Sequence, residues 1–537
     1  MTRPRLGRLG GLMLALLAPL AVLGSEPPDP GGSQWQVGLT DRELAISRWF
    51  SHLTFLQDRA DRPWPQWHND GKQLGVTSLR YQLAFAGYGC AAMAARTPAY
   101  RELAERQLYD LCERMIDLRV WDYAPVYWKY GDEPPDPCLY ENVMYTGHLT
   151  QLMGLYELLT GDTRYSETGW DFEWRDGRKV HYNLRQAIER LHVQTEKNLG
   201  GGICCEPSLV FATCNSHSAA SFILFDTLYG TRYAEANVKW FDWMSRNFRI
   251  RNRAAGEFFY VLYHQHTKLF VPLGDAGADC WTLGWGYPWF PSTDLAREGW
   301  QHILDKAPWK QPDAETTYAP GSQLITCCGG GWQPIRNSFI PLVGVQVEGR
   351  DSPTSRQVLR WLETKYGREA DLDGDGHCES YHYSDDGLRI ATTGNIAVAL
   401  ATDGDSLRQL FRTPRRRILA EPTVARVDYP NVYVRTAEYL APTLRFAVRK
   451  GTPGFRGITS IACTQLTGEA TVRRDGQLFS DWSQTGSTLV IRTDVDRERL
   501  FEVTLAASAH RAAAGPVASP AQSGCQPCPN LAMRDVE

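Results

Sequence analysis

After its first 25 residues the chain has no apolar run long enough to span a bilayer. Neither sign of charge dominates. The 57 Lys and Arg are nearly matched by 61 Asp and Glu, for a net charge of −4 and an isoelectric point near 6.3. There is no basic stripe, no zinc-finger spacing and no phosphate-cradling glycine loop, so nucleic acid is excluded as a partner. His264 and His266 are two residues apart with no third ligand in view, so no metal is expected there.

What is present begins with an export signal. Arg3, Arg5 and Arg8 precede an almost wholly apolar stretch at residues 12–23, and Val22-Leu23-Gly24-Ser25 offers small residues for cleavage. Residues 1–25 therefore read as a signal peptide and residues 26–40 as a Pro/Gly/Ser-rich linker, with the mature chain expected in a periplasm and not inserted in a membrane. Thirteen cysteines, none in the signal, leave at least one thiol unpaired or paired between chains. Cys525 and Cys528 fall in a Pro/Ala/Ser-rich tail, residues 511–537, that reads as disordered. Eighteen Trp and 24 Tyr point to a large core or an aromatic-lined cavity.

From about residue 41 to 415 the helical period dominates. Leu149, Leu152, Met153, Tyr156 and Leu159 share one face, as do Ala220, Ile223, Leu224 and Leu228. Thr97-Pro98-Ala99-Tyr100, Gly161-Asp162-Thr163-Arg164-Tyr165 and Gly230-Thr231-Arg232-Tyr233 each follow an apolar helix and begin another. The tyrosines are 65 and 68 residues apart, which suits a repeated helix hairpin. The fold expected is mainly α, an (α/α)6 barrel, whose inner helices deliver residues to a central cavity. Residues 421–508 turn β-rich and alternating, with a hairpin turn at Asp475-Gly476, and read as a small antiparallel β domain.

Three constellations could carry chemistry. In Gly202-Ile203-Cys204-Cys205-Glu206-Pro207, followed by Cys214-Asn215-Ser216, two thiols and a carboxylate lie within ten residues. Asn215 or Ser216 could cap the following helix, placing Cys214 at a helix N-terminus, where a thiolate is stabilised. A partly buried Glu206 could serve as an acid. The alternative for these cysteines is a structural disulfide. His148, beside Gly147 at the head of an apolar helix, is either a site residue or a hydrogen-bonded core histidine. Asp371, Asp373 and Asp375 resemble the opening of a calcium loop, but its twelfth position is His382 in place of Glu, and a solvated acidic turn is the default.

At these residues the chain resembles the linalool dehydratase/isomerase family. The resemblance is carried by Glu141-Asn142-Val143-Met144-Tyr145-Thr146-Gly147-His148-Leu149 and by Gly202 to Pro207 with Phe211 and Cys214-Asn215-Ser216. A weaker match follows at Phe259-Tyr260, Tyr263-His264 and Trp281. It implies an (α/α)6 fold and a cofactor-free enzyme that adds or removes water at an allylic alcohol and can shift the double bond, on linalool, geraniol and myrcene. By match, Cys205 and Cys214 would be acid/base thiols, His148 would hydrogen-bond the hydroxyl or a neighbouring acid, and Glu206 would tune a thiol. Met144 and Phe211 would line the apolar end, with Tyr81 and Tyr263 as further cavity residues. The partner implied is a small apolar alcohol or alkene, in a homo-oligomer. Where the family places an N-terminal Asp and Tyr that reach a neighbouring subunit, this chain aligns poorly from Phe50 to His68; Asp58 and Asp61 lie in that segment, and which acid completes the site stays open. Two other readings stay open: a carbohydrate-active enzyme, with Glu141, Glu206 and Asp279 as acids, and a non-catalytic binding protein. A glycosidase needs two carboxylates placed across a bond, and no such pair stands out.

Overall fold

The computed structural model describes residues 38–57, 64, 66–68, 75, 77–129, 135–252, 254–321, 333–372, 374 and 376–506 of the 537. The export signal, most of the linker, Asp58, Asp61, Asp373, Asp375, Cys525, Cys528 and the tail lie outside them.

Among the described residues, twelve helices have eleven residues or more. They are α1 (Asp41–Leu53), α2 (Leu79–Ala95), α3 (Glu102–Met115), α4 (Val143–Thr160), α5 (Leu184–Lys197), α6 (Ala212–Tyr229), α7 (Ala236–Asn247), α8 (Ala276–Gly286), α9 (Asp294–Lys306), α10 (Gln333–Val347), α11 (Pro353–Tyr366) and α12 (Arg389–Ala401). The two alternating sets differ in sequence as their positions require. The even-numbered helices carry apolar or small residues on all faces, and α4 and α8 are buried at every position. The odd-numbered ones bury a stripe. In α5 it is Leu184, Ala187, Ile188, Leu191, Gln194 and Thr195, at the three- and four-residue spacing of one helix face.

The even helices contact one another in cyclic order, α2 to α4, α6, α8, α10 and α12, and α12 closes on α2. The odd helices back this ring: α3 on α2 and α4, α5 on α4 and α6, α7 on α6, α9 on α8 and α10, α11 on α10, and α1 on α12 and α2. Neighbouring inner helices run parallel. Gly147 lies against Ser218 and Gly154 against Leu224, while Gly277 lies against Arg336 and Gly284 against Leu342. A Cβ on Gly147 would sit 3.1 Å from the Ser218 backbone nitrogen, so this glycine sets how closely α4 approaches α6. The three tyrosine repeats mark the turn from inner to outer helix after α2, α4 and α6. Gly161 and Gly230 end α4 and α6 in the left-handed conformation that glycine accepts most readily (φ 76° and 67°).

The start of α6 carries a four-stranded antiparallel sheet, β1 (Cys204–Glu206), β2 (Leu209–Phe211), β3 (Leu262–His264) and β4 (Leu269–Val271), paired in that order. Beyond α12 come β5 (Thr423–Arg426), β6 (Val432–Leu440), β7 (Thr443–Lys450), β8 (Ile458–Thr464), β9 (Ala470–Arg474), β10 (Gln477–Leu478), β11 (Trp482–Thr485), β12 (Thr488–Asp494) and β13 (Arg499–Leu505). They form two antiparallel sheets, β5-β8-β12-β11 and β6-β7-β13-β9-β10, over a shared core that includes Val424, Phe446, Ile461, Leu489 and Phe501. The β9–β10 hairpin turns on Asp475 and Gly476, both at positive φ (52° and 81°), as a two-residue primed turn requires. Ala99 and Tyr100, from the first tyrosine repeat, enter this core, and Val424 donates its N–H to the Ala99 carbonyl at 2.7 Å. Gly38 and Leu39, placed by composition in a linker, are instead buried, donating their N–H groups to the carbonyls of Arg96 and Arg435. Thr40 caps α1 in a capping box with Glu43.

Candidate active site

Four inner helices each turn one side-chain stripe inward, at the i, i+3/i+4, i+7 spacing of a helix face. On α2 it is Tyr81, Phe85 and Tyr88; on α4, Met144, His148 and Gln151; on α6, Cys214 and His217; on α8, Trp281 and Trp285. Phe85 sits at the centre, with ring centroids 5.5 Å from Trp281, 5.6 Å from His148, 5.6 Å from Phe339 and 6.1 Å from His217. Tyr81, one turn earlier on α2, meets Cys214. Its hydroxyl is 3.4 Å from Cys214 Sγ, and its ring stands edge-on to His148 at 5.1 Å and to Trp281 at 5.7 Å.

Cys205 and Glu206 reach this end of the ring by a different route. In the β1–β2 hairpin Cys204 pairs with Val210 and Glu206 with Leu209, with a register shift between them, so Cys205 is the extra residue of a bulge. A regular strand would send Cys204 and Cys205 to opposite faces; here both are buried. The hairpin is tied to α6 by Asn215. Its carbonyl accepts from the Ile203 N–H at 2.8 Å, and its amide donates to the Ile203 and Phe211 carbonyls at 2.9 and 2.8 Å. Asn215 therefore does not cap the helix. Helix α6 begins at Ala212, three residues before it, with Phe211 in the N-cap position. Cys214 lies in the first turn. No disulfide joins any of the nine described cysteines to another, Cys205 and Cys214 included.

Electrostatically the site is organised by Arg80, which is 1% exposed. A guanidinium taken out of water needs compensation. Arg80 lies over the faces of Tyr123 and Tyr81, 4.5 and 4.9 Å from their centroids, and donates to Met144 Sδ at 3.2 Å. Burial works against its charge, but Tyr123, Tyr81, Glu206 and Cys214 together hold its pKa above the ordinary value. Burial pushes the Glu206 carboxyl up to about 7, with Arg80 acting in the opposite direction. Glu206 Oε2 is enclosed with no hydrogen-bond partner. Burial, and then Cys214, push the Tyr81 phenol well above its ordinary value, so it keeps its proton. His148 is completely enclosed, and burial, followed by Arg80, holds it well below the usual histidine range.

The structure thus brings together Tyr81, Cys214, His148 and, through Arg80, Met144 and Glu206, with Cys205 between Cys204 and Glu206. Phe211 is buried at the junction of β2 and α6, where its carbonyl serves the Asn215 clamp. Tyr263 is not brought in: its ring packs on Trp243 and Phe270, 5.1 and 4.7 Å away. Glu141 accepts from the Cys204 N–H at 2.8 Å. Both oxygens of the fully enclosed Asp279 accept from the backbone N–H groups of Phe258 and Phe259, at 2.8 and 3.0 Å. His264 and His266 lie on an exposed hairpin, their rings 6.1 Å apart. Asp371 accepts from the N–H groups of Gly374 and Gly376 at 2.7 and 2.9 Å. Arg80, Tyr88, Gln151 and His217 escape the sequence reading, and Trp281 enters it only as part of the weaker family match. The available signals were an arginine opening an otherwise apolar helix and a histidine one turn after Cys214.

Comparison with known proteins adds the following. A sequence model of the linalool dehydratase/isomerase family matches residues 80–368, more than half of the chain. Among solved structures, a GH76 alpha-mannanase from Bacteroides thetaiotaomicron is 12% identical over 64% of this chain and 88% of its own, with a TM-score of 0.38. A family 105 glycoside hydrolase from C. acetobutylicum is 10% identical over 66% and 98%, with a TM-score of 0.36. An unsaturated glucuronyl hydrolase specific for heparin is 11% identical over 59% and 84%, with a TM-score of 0.35.

Proposed function

This chain belongs to the linalool dehydratase/isomerase family, and from that membership we propose that it is a cofactor-free hydro-lyase and isomerase of small allylic alcohols. We read the ring of six inner and six outer helices as an (α/α)6 barrel whose site lies at the N-terminal ends of α2, α4 and α6. The observation that carries the reading is the contact of Tyr81 with Cys214, with Cys205 and Glu206 delivered to the same end by a bulged hairpin clamped at Asn215.

The chemistry follows from the state of each group. Water leaves an allylic carbon once its oxygen is protonated, and a base must then take a proton from a neighbouring carbon. A Glu206 carboxyl with its pKa near 7 still holds its proton part of the time at neutral pH, and so can act as the acid. In dehydration Glu206 gives its proton to the leaving hydroxyl, and one of Cys205 and Cys214, as the thiolate, takes the proton from the neighbouring carbon; hydration runs the same two transfers in reverse. Neutral His148 donates from Nε2 to the substrate oxygen. Tyr81 keeps its phenolic proton against Cys214 Sγ. Phe85 and Met144 provide an apolar wall in which an allylic cation meets little water. Arg80 supports one negative charge and so limits how many of these acids ionise together. The carbohydrate reading gains nothing here, because Glu141 and Asp279 are engaged by backbone N–H groups. The export signal read at residues 1–25 would place the enzyme in a periplasm.

The test is gas chromatography of products after incubation of the purified protein with linalool, geraniol and related tertiary allylic alcohols. Turnover that is lost in Cys214→Ala supports the reading. A Cys214→Ala protein as active as the wild type would remove the thiol mechanism.

A further inference from the structure

Two histidines stand ring against ring inside the helix ring, and the proposed reaction uses only one of them. His148 and His217 have centroids 3.9 Å apart, and both are completely enclosed. Their hydrogen bonds differ in kind. The Trp281 indole N–H, which can only donate, lies 3.0 Å from His217 Nε2. That nitrogen therefore carries a lone pair. The single ring proton sits on Nδ1, where the Gln151 amide oxygen accepts it at 2.8 Å. A second proton on His217 would set one N–H against another.

His148 comes out the other way. The Tyr88 hydroxyl lies 2.9 Å from its Nδ1. If Nδ1 held the proton, it would donate to the Tyr88 oxygen. The Tyr88 hydroxyl proton would then find no acceptor among its neighbours, the rings of Trp285 and His217 at 4.7 and 5.5 Å. Two buried groups would be left unmet, that hydroxyl and the Nε2 lone pair. With Tyr88 as donor only one is left over, the Nε2–H of His148, whose nitrogen is enclosed and has no hydrogen-bond partner. The titratable groups facing His148 are Arg80, Tyr81 and Tyr88 on α2 and His217 on α6. None is a carboxylate that would stabilise an imidazolium.

We infer that Tyr88 is the positioning residue that locks His148 as its neutral Nε2–H tautomer, while Gln151 and Trp281 lock the stacked His217 as its Nδ1–H tautomer, and that the His148 Nε2–H is kept for an oxygen of the substrate. The use of the N–H rests on the alkenol reading; the lock itself does not. A neutral imidazole stabilises a departing or entering oxygen as a hydrogen-bond donor without surrendering its proton, which leaves proton transfer to Glu206 and the thiols. Gly147 supports the lock from behind, by letting the backbone beside His148 approach the backbone beside His217.

NMR of protein labelled with 15N-histidine reads the tautomers directly, with the two rings assigned from His148→Gln and His217→Gln. One enclosed ring should be protonated only on Nε2 and the other only on Nδ1, and neither should titrate between about pH 5 and pH 9. Tyr88→Phe keeps the ring packing. It should mix the His148 tautomers and lower kcat on the order of 10-fold or more, with KM little changed and thermal unfolding still cooperative but at a lower temperature, because the enclosed Nδ1 loses its partner. A His148 ring protonated on Nδ1 in the wild type, or either ring taking a second proton in that range, overturns the inference. The expected tautomer pair in a protein that turns over no allylic alcohol would uphold the lock and refute the reaction assignment instead.

Discussion

Replacing Glu206 by Gln separates the acid's chemistry from its cost to the fold. The free carboxyl of a glutamate ionises near 4.5, and in this protein burial raises that of Glu206 to about 7. A raised value means that the folded protein binds the proton more tightly than the unfolded chain does. The associated stability is fully present below pH 4.5 and is lost as the pH climbs through about 7. At 1.36 kcal/mol per pH unit the difference is worth about 3 kcal/mol, and the solvent that still reaches the edge of the side chain reduces it to about 2 kcal/mol. The amide of the Glu206→Gln variant has nothing to ionise. Urea unfolding of the two proteins should therefore give similar stabilities near pH 4.5, and a variant more stable than the wild type by about 2 kcal/mol near pH 8.5. Asp279, raised to about 8 by burial, gives both proteins the same additional slope, which cancels in the difference. Over the same range the variant should lose on the order of 10²- to 10⁴-fold in turnover, the usual worth of a positioned acid. A wild-type-minus-variant stability difference that stays constant from pH 4.5 to pH 8.5 would refute the burial argument.

Arg80 lowers the Glu206 value, so Arg80→Gln should move the alkaline limb of the pH–rate profile, where the acid loses its proton, to higher pH, read from kcat/KM against pH. Asn215→Ala removes three hydrogen bonds and leaves the buried Ile203 N–H and carbonyl unmet, so chemical denaturation should show a loss of about 2–4 kcal/mol, with activity falling further than stability. Gly147→Ala gains about 1 kcal/mol of helix propensity but forces a methyl to within 3.1 Å of Ser218. The melting temperature should change little, while the 3.9 Å His148–His217 stack opens in a crystal structure of the variant.

The helical body was legible because an inner helix must be apolar all round and an outer one only on a stripe, and the tyrosine repeats mark the turns between them. The β-rich run after residue 421 was legible through alternation and the Asp475-Gly476 turn. The site was legible only in pieces. Cys214, His148 and Tyr81 are spaced so that single helices present them, which a sequence can show. Cys205 depends on a bulge, and no residue-by-residue pattern announces one. Asn215 looked like a cap because Asn is common there, but its amide is taken by a loop that spacing alone cannot place. Tyr263 was misplaced for a related reason. It sits in a strand beside β2, and pairing there turns its ring towards Trp243 and Phe270. Arg80 and His217 are single letters in apolar surroundings, and their roles depend on partners from other helices.

The central claim is that this site makes and breaks the carbon–oxygen bond of an allylic alcohol with water. Incubation of the protein with linalool and geraniol in 18O-labelled water, followed by mass analysis of the recovered alcohols, tests it most directly. The account predicts that label enters the hydroxyl of the alcohol pool and that Cys214→Ala abolishes this incorporation. A folded wild-type protein that leaves the hydroxyl of every tested allylic alcohol unlabelled, and forms no alkene from any of them, would contradict it.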